Sequence, residues 1–150
     1  MTTSLSNYLS AEALIIQRLQ QEVPAFKVVA GERSIKDSLD RKLATPYALV
    51  IYAGDKVLTG KNGVADLGRV QAVEQKWHIE IVVNNQTDYV GGTGERVEAG
   101  TLIAQVLSAL SGYRLSPLHR ELRRVNAPAV LHSPPYGYFP LAFTTEIVTQ

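Results

Sequence analysis

The stretch Arg69-Val-Gln-Ala-Val-Glu-Gln-Lys-Trp-His-Ile-Glu-Ile-Val-Val83 alternates between apolar and polar residues over most of its length. Successive side chains of a β-strand point to opposite faces, so the pattern predicts one strand with a core face and a charged face. We expect the core face to carry Val73, Trp77, Ile79, Ile81 and Val83. The charged face is expected to carry Glu74, Lys76, His78 and Glu80. At about 3.3 Å per residue the strand would reach on the order of 45 Å, so we expect it to bend, contain a bulge or project.

Two main helices are predicted, one on each side of this strand in the sequence. The first begins at Ser10 and ends before Pro24, and the second runs from about Val97 to a glycine terminator at Gly112. Both have an apolar stripe at helical spacing, so each is expected to pack on a sheet. Shorter helical segments are predicted for Ser34–Leu43 and for Leu118–Arg123.

Four further strands complete the predicted fold. Phe26–Ala30 is short, and Tyr47–Ala53 is almost continuously apolar, as in a strand at the middle of a sheet with both faces covered. Val125–His132 contains Pro128 and Tyr138–Thr149 contains Pro140, so we expect both to be edge strands or to be bulged. The predicted class is α+β. It has a mostly antiparallel sheet of about five strands with two main helices packed on it, in the order α-β-β-β-α-β-β, as a single domain over residues 1–150.

Composition excludes several classes of function. The 150 residues include no cysteine, which excludes disulfides and cysteine-ligated zinc and fits a reducing cytoplasm. A formal net charge of +1 gives no overall electrostatic attraction for nucleic acid. No apolar run approaches the roughly 20 residues of a membrane helix.

No catalytic constellation is found, and we predict neither an enzyme, nor a cofactor, nor a metal site. Gly92-Thr-Gly94 lacks the third glycine of a dinucleotide-binding loop. His78-Ile-Glu80 resembles half of a zinc deaminase motif whose cysteine ligands are absent. One enzymatic alternative remains, a site formed by convergence of His78, Glu80 and His119 in space.

Two kinds of segment are candidates for contact with a partner. The first is a cluster of cations that includes Arg114, Arg120, Arg123 and Arg124; its alternative interpretation is a solvated surface near a helix end. The second is the pair of glycine-rich loops Thr59–Gly68 and Asn84–Gly94, the latter containing Asn85, Asp88 and Tyr89.

Four segments together resemble the tail terminator, or tail completion, family of Mu-like phages and prophages. They are Pro46-Tyr-Ala-Leu-Val-Ile-Tyr-Ala-Gly54, Gln75-Lys-Trp-His-Ile-Glu-Ile-Val-Val83, Leu102 to Gly112-Tyr113, and Pro135-Tyr-Gly-Tyr-Phe-Pro-Leu-Ala-Phe-Thr-Thr145. The resemblance lies in the order of elements, a tryptophan-bearing third strand, a Gly-aromatic helix end and an aromatic last strand. It covers most of the chain.

The resemblance implies a non-catalytic protein that caps the tail tube as a ring, expected to be a homo-hexamer, stops tail polymerisation and offers a surface for head joining. The implied partners are other copies of the chain, the tail tube protein and the head-tail connector, with non-specific contact to passing DNA. The implied locations are the bacterial cytoplasm during assembly and then the virion tail. Three alternatives stay open: another head-tail joining or tail assembly protein, the small enzyme described above, and a nucleic-acid-binding module.

Overall fold

A computed structural model describes residues 6–32, 43–58, 71–84 and 93–149 of the chain. The described elements, in chain order, are α1 (Ser10–Glu22), β1 (Val28–Glu32), β2 (Tyr47–Val57), β3 (Gln71–Asn84), α2 (Thr93–Leu110), β4 (Arg123–Val125), β5 (Leu131–Ser133) and β6 (Tyr136–Thr149). Three predicted segments lie outside the described residues, wholly or in large part: the short helix Ser34–Leu43 and the loops Thr59–Gly68 and Asn84–Gly94.

The six strands form one sheet in the order β1-β2-β3-β6-β4, with β5 also paired to β6. β1 and β2 are parallel, and all other neighbours are antiparallel. The predicted α+β class with a mostly antiparallel sheet is therefore confirmed. The sixth strand arises because the predicted strand Val125–His132 is two short strands, β4 and β5, with Pro128 in the connection between them.

The middle of the sheet is β3, and the prediction that Tyr47–Ala53 would lie there is wrong by one position. β3 pairs with β2 on one side and with β6 over all fourteen of its residues on the other. It therefore does not project as a free strand. The bulge expected for such a long pairing lies in β2, where the register shifts between Tyr52 and Asp55 and Gly54 has a φ of 102°.

The face of the sheet that carries Trp77, called here the helix face, is covered by α1 and α2. Trp77, Ile79 and Ile81 are fully buried there, as the alternation in β3 predicts. The helices contribute an apolar set that packs against them: Ala11, Ile15, Leu19, Ala99, Leu102, Val106 and Leu110. Burial of each large aliphatic side chain contributes about 1.5–3 kcal/mol before chain entropy is subtracted, which makes this the main core.

The other face of the sheet, called here the open face, is only partly the charged surface predicted from the sequence. Glu74, Lys76 and His78 are half-buried along one half of β3. Along the other half, Glu80 is fully buried, and beside it lies a second apolar cluster. That cluster consists of Tyr47, Leu49, Ile51, Val82 and Tyr138, with Val28, Ala30, Leu43 and Tyr136 packed against it.

Pro140 lies inside the sheet, so the prediction that the last strand would be an edge strand or bulged is wrong. β6 pairs with β3 without a register shift, and Pro140 lies opposite Glu80. The carbonyl of Glu146 points to the side of β6 away from β3, because it accepts a hydrogen bond from Arg120 N at 2.9 Å. Backbone groups of every second residue along a strand point to the same side. Pro140 N therefore also points away from β3. There β4 pairs with residues 142–144 and β5 with 136–138, which leaves Pro140 in the gap between them. Pro140 therefore removes no backbone hydrogen bond between β6 and β3.

Of the two main helices, α1 agrees with its predicted bounds and α2 begins four residues earlier than predicted. Gly112, with a φ of 75°, ends α2 as expected. Arg18 joins the two helices, because its Nε donates to Ala109 O at 3.1 Å and its guanidinium lies 3.9 Å from the centre of the Tyr113 ring. Neither described helix combines the length and the hydrophobicity of a transmembrane span.

The alternation in β3 can be tested with two adjacent substitutions. Trp77→Ala removes the largest fully buried side chain and is expected to lower the free energy of unfolding by about 3–5 kcal/mol. Lys76→Ala, on the open face, is the control and should change it by no more than about 0.5 kcal/mol. Urea unfolding followed by circular dichroism measures both, and equal effects would contradict the assignment of faces.

Candidate assembly surface

The sheet ends in two dissimilar edges among the described residues. At one end, β1 pairs with β2 alone. At the other end, β4 and β5 pair with β6 alone. Unpaired backbone N–H and C=O groups at a sheet edge are a template for pairing with another chain unless something protects them.

The loop from Tyr113 to Leu122 is fastened to the sheet beside β4. Gly112 N donates to Leu122 O at 2.8 Å, and Leu122 N donates to Tyr113 O at 2.9 Å, which closes the loop at its base. Thr145 Oγ1 on β6 donates to Arg120 O at 2.7 Å. The loop is therefore a fixed extension of the sheet, and it sets the position of the arginines that lie in and after it.

The predicted helix Leu118–Arg123 does not form. Arg120 N donates to Glu146 O on β6, Leu122 N donates to Tyr113 O, and His119 makes an isolated antiparallel bridge with Ile147. These backbone groups pair with other parts of the chain, so they are not available for bonds within a helix. Ser116 Oγ accepts from Leu118 N at 3.1 Å and makes a turn here.

The four arginines proposed from the sequence have different surroundings. Arg114 belongs to the loop itself, because its Nε donates to His119 O at 2.8 Å and its second guanidinium nitrogen donates to Pro117 O at 3.0 Å. Arg120 Nε lies 3.6 Å from Glu146 Oε2, although the arginine side chain is 71% exposed. Such an exposed pair contributes little to stability.

Arg123 and Arg124 are exposed on β4 and form no ion pair with another described residue. Arg124 lies opposite Phe143, which in turn lies opposite Trp77, so Arg124 belongs to the helix face. Arg123 lies opposite Thr144 and belongs to the open face. One edge strand thus presents a cation on each side of the sheet.

The remaining residues proposed from the sequence, Asn85, Asp88 and Tyr89, lie outside the described residues. Sequence reasoning also missed a feature of the β4–β5 edge. From Val125 to Thr145 the chain contains no Lys, Arg, Asp or Glu, and on this edge Val130 and Leu131 are 47% and 40% exposed. Natural edge strands are usually protected by charges. Pro128 predicts an edge strand in this segment, as the structure confirms, and the uncharged run is the further signal that charges do not protect this edge.

The proposed convergence of His78, Glu80 and His119 is wrong. His78 and Glu80 lie on the open face of β3, whereas His119 bridges to Ile147, whose partner Val73 belongs to the helix face. The sheet therefore separates the two histidines. Two depressions lined by described residues hold about 20 and 140 Å³ and contain neither histidine, compared with about 300–1,000 Å³ for typical ligand pockets. Among the described residues, no group of three potential metal ligands is found.

Both histidines have structural environments. The His119 side chain is 1% exposed, its Nδ1 lies 2.6 Å from Ser116 Oγ, and burial lowers its pKa below the ordinary 6.5. Burial, and next the charge of Lys76, lower the pKa of His78. His119 therefore packs within the loop, where it contacts Ser116, and lines neither depression.

The sequence matches the model of a single protein family over residues 5–150, nearly the whole chain, and that family is described as phage tail terminator protein. The chain belongs to the phage tail terminator family. Proteins of this family are structural components of phage-type virions and not enzymes, which confirms the prediction that the chain is not catalytic.

The fold of the chain is also found in a solved structure. The fold is similar to a chain in the solved virion of a native gene transfer agent particle, with a TM-score of 0.59 and 16% sequence identity. The match covers 95% of this chain and 99% of the other. At this identity the likeness shows a shared fold. No curated protein sequence matches the chain.

Arg114 and Arg123 are expected to differ in what they contribute to stability. Arg114→Ala removes charge-assisted hydrogen bonds to two loop carbonyls and should lower the free energy of unfolding by about 1–2 kcal/mol. Arg123→Ala removes an exposed side chain and should change it by less than about 0.5 kcal/mol. Thermal and urea unfolding of both variants measure the difference, and the reverse order would contradict the structural role of Arg114.

Stability is expected to fall as the solution becomes acidic. Because the pKa of His119 is lower in the folded chain, the unfolded chain binds more protons as the pH falls below about 6.5, and the free energy of unfolding decreases. The pKa of His78 is also lowered in the folded chain, so its protonation likewise decreases the free energy of unfolding. Each histidine changes that free energy by at most about 1.4 kcal/mol per pH unit. Urea unfolding between pH 5 and 8 should give a shallower slope for His119→Gln.

Proposed function

We propose that this protein caps the end of a phage or prophage tail tube as a ring of identical subunits, expected to be a hexamer, and thereby stops tail polymerisation. In the same proposal the ring provides the surface to which the head is joined. The observation that carries the proposal is the match to the tail terminator family over residues 5–150. The absence of a converged catalytic site in the described residues agrees with a role in assembly.

The dissimilar edges of the sheet support a ring. Contact between two different surfaces of identical copies is a heterologous contact, and repeated heterologous contacts close into a ring when the rotation between copies allows it. Here β1 is one such surface and β4 with β5 is the other. Copies that used both edges would leave no edge of the sheet unpaired in a closed ring.

The proposed partners are other copies of the chain, the tail tube protein and the head-tail connector, with non-specific contact to passing DNA. Residues proposed for partner or lumen contact remain Arg114, Arg120, Arg123, Arg124, Asn85, Asp88 and Tyr89. Arg123 and Arg124 are favoured for contact between proteins because they form no ion pair with another described residue, whereas the guanidinium of Arg114 is already bound within its own loop. The protein is proposed to act in the bacterial cytoplasm during assembly and then in the virion tail. Residues 1–150 are proposed to form one domain.

Deletion of the gene from the phage or prophage that encodes it tests the proposal. Without a terminator, tail tubes should grow past their normal length, because nothing stops addition of tube subunits, and supply of the wild-type gene should restore the length. Electron microscopy of negatively stained tails gives the length distribution. Tails of normal length that lack heads would instead indicate a joining protein, and normal virions would contradict both roles.

A second measurement tests the ring directly. Light scattering after size exclusion, at several protein concentrations, should show a species of six times the mass of the 16.4 kDa chain, alone or increasing with concentration. The same measurement at higher salt should show weaker association if exposed charges contribute to it. A discrete oligomer of another size would contradict the hexamer while leaving a ring in place.

A further inference from the structure

The β-bulge in β2 decides which face of the sheet Asp55 occupies. Tyr52 lies opposite Trp77 of β3. Asp55, three residues later, lies opposite Gln75, only two residues from Trp77, so β2 contains one extra residue here. Side chains three residues apart in a regular strand point to opposite faces, but the extra residue places both Tyr52 and Asp55 on the helix face. Gly54 supplies the φ of 102° at the bulge.

On the helix face, Asp55 is bonded to the chain that precedes α1. The Tyr8 hydroxyl donates to Asp55 Oδ2, and the Tyr52 hydroxyl donates to the same oxygen at 3.2 Å. Burial, and next Asp55, raise the pKa of both tyrosines above the ordinary 10.0, so both hydroxyls remain protonated donors at neutral pH. Residues 6–9, called here the strap, are therefore attached to β2 just beyond its bulge.

The strap is attached to β3 as well. Gln75 Nε2 donates to Tyr8 O at 2.7 Å, and Gln75 Oε1 accepts from Trp77 Nε1 at 3.4 Å. Gln75 and Trp77 are both fully buried. Release of the strap would remove the acceptor of the buried Gln75 amide, which costs free energy. The strap therefore joins β2 and β3 at the bulge.

A pairing of β2 with β3 that lacks the bulge would separate these groups. In that register Asp55 would lie opposite Glu74, because every residue of β2 after the bulge moves by one position. A shift of one residue moves a side chain to the other face, so Asp55 would point to the open face. The hydroxyls of Tyr8 and Tyr52 would lose their acceptor. Closure of the strap and the bulged register thus stabilise each other.

We propose that the strap selects the bulged register of β2 against β3, and that Asp55 is the residue through which the two are coupled. With the strap closed, the end of β2 presents Lys56 on the open face and Val57, which is 40% exposed, on the helix face. In the other register these two side chains exchange faces. The strap thereby decides which surface this end of the sheet presents, whether or not the chain is a tail terminator.

Hydrogen exchange at Leu58 tests the coupling. Leu58 N donates to Ala72 O at 2.9 Å in the bulged register, whereas a shift of one residue turns this N–H away from β3. Tyr8→Phe keeps the ring and the backbone carbonyl of the strap but removes the hydroxyl that donates to Asp55. Exchange of the Leu58 amide, measured by NMR, should become at least about tenfold faster.

The amide of Leu122 is the internal control in the same experiment. It donates to Tyr113 O within the loop beside β4, which has no bond to the strap, and should exchange within about twofold of its wild-type rate. Tyr113→Phe is the matched control variant, because the Tyr113 hydroxyl forms no hydrogen bond with another described residue. It should leave the exchange of Leu58 unchanged.

Gly54→Ala makes the choice of register visible. An added side chain there meets no atom within 4 Å, so its cost is the strain of a positive φ, which only the bulged register requires. Nuclear Overhauser effects should then show the Hα of Val73 against that of Lys56 in part of the molecules, instead of against that of Val57 as in the bulged register. Addition of Tyr8→Phe should raise the ratio of the register without the bulge to the bulged register about tenfold.

Two results would overturn the inference. One is an unchanged exchange rate of Leu58 in Tyr8→Phe, and the other is a measurable ratio of registers in Gly54→Ala that addition of Tyr8→Phe leaves unchanged. Circular dichroism and melting temperature check that each variant folds. If Gly54→Ala does not fold, or shows only the bulged register with and without Tyr8→Phe, the exchange of Leu58 decides alone.

Discussion

The pairing of β3 with β6 along fourteen residues is the constraint on which the rest of the structure depends. It places Trp77 opposite Phe143 beneath the two helices, and it brings the last strand of the chain into the interior of the sheet. The outer side of β6 then remains for β4, β5 and the loop of Tyr113 to Leu122. The two edges proposed for assembly follow from this pairing, because β1 and β4 become the ends of one sheet.

The sheet also explains why the polar residues proposed for a catalytic site do not converge among the described residues. His78 and His119 lie on opposite sides of it, and burial lowers the pKa of each. The arginines after α2 also differ in what they bind. Arg114 binds backbone carbonyls of its own loop, whereas Arg123 and Arg124 extend from an edge strand, one to each face. An edge strand that presents an exposed cation on each face suits binding between proteins.

Much of the fold could be predicted from patterns that are local in sequence. The alternation in β3 identified its core face, because side-chain direction in a strand follows from the backbone alone. Helical spacing located α1 and α2, although α2 extends further towards its N-terminus. The predictions that failed involved competition between distant groups. Leu118–Arg123 has a sequence suited to a helix, but its backbone groups bond to Glu146 and Tyr113, which no local pattern reveals.

By itself, the sequence determined the α+β class, the core face of β3, the absence of cysteine chemistry and the family to which the chain belongs. The tertiary structure alone decided that Pro140 is tolerated within the sheet, since the direction of its missing N–H depends on which neighbour lies on each side of β6. It also decided that Glu32 and Val125 share one row across the sheet although they are far apart in the chain. The physical reason is that strand register is a relation between segments, set by packing of side chains on both faces, and no single segment contains it.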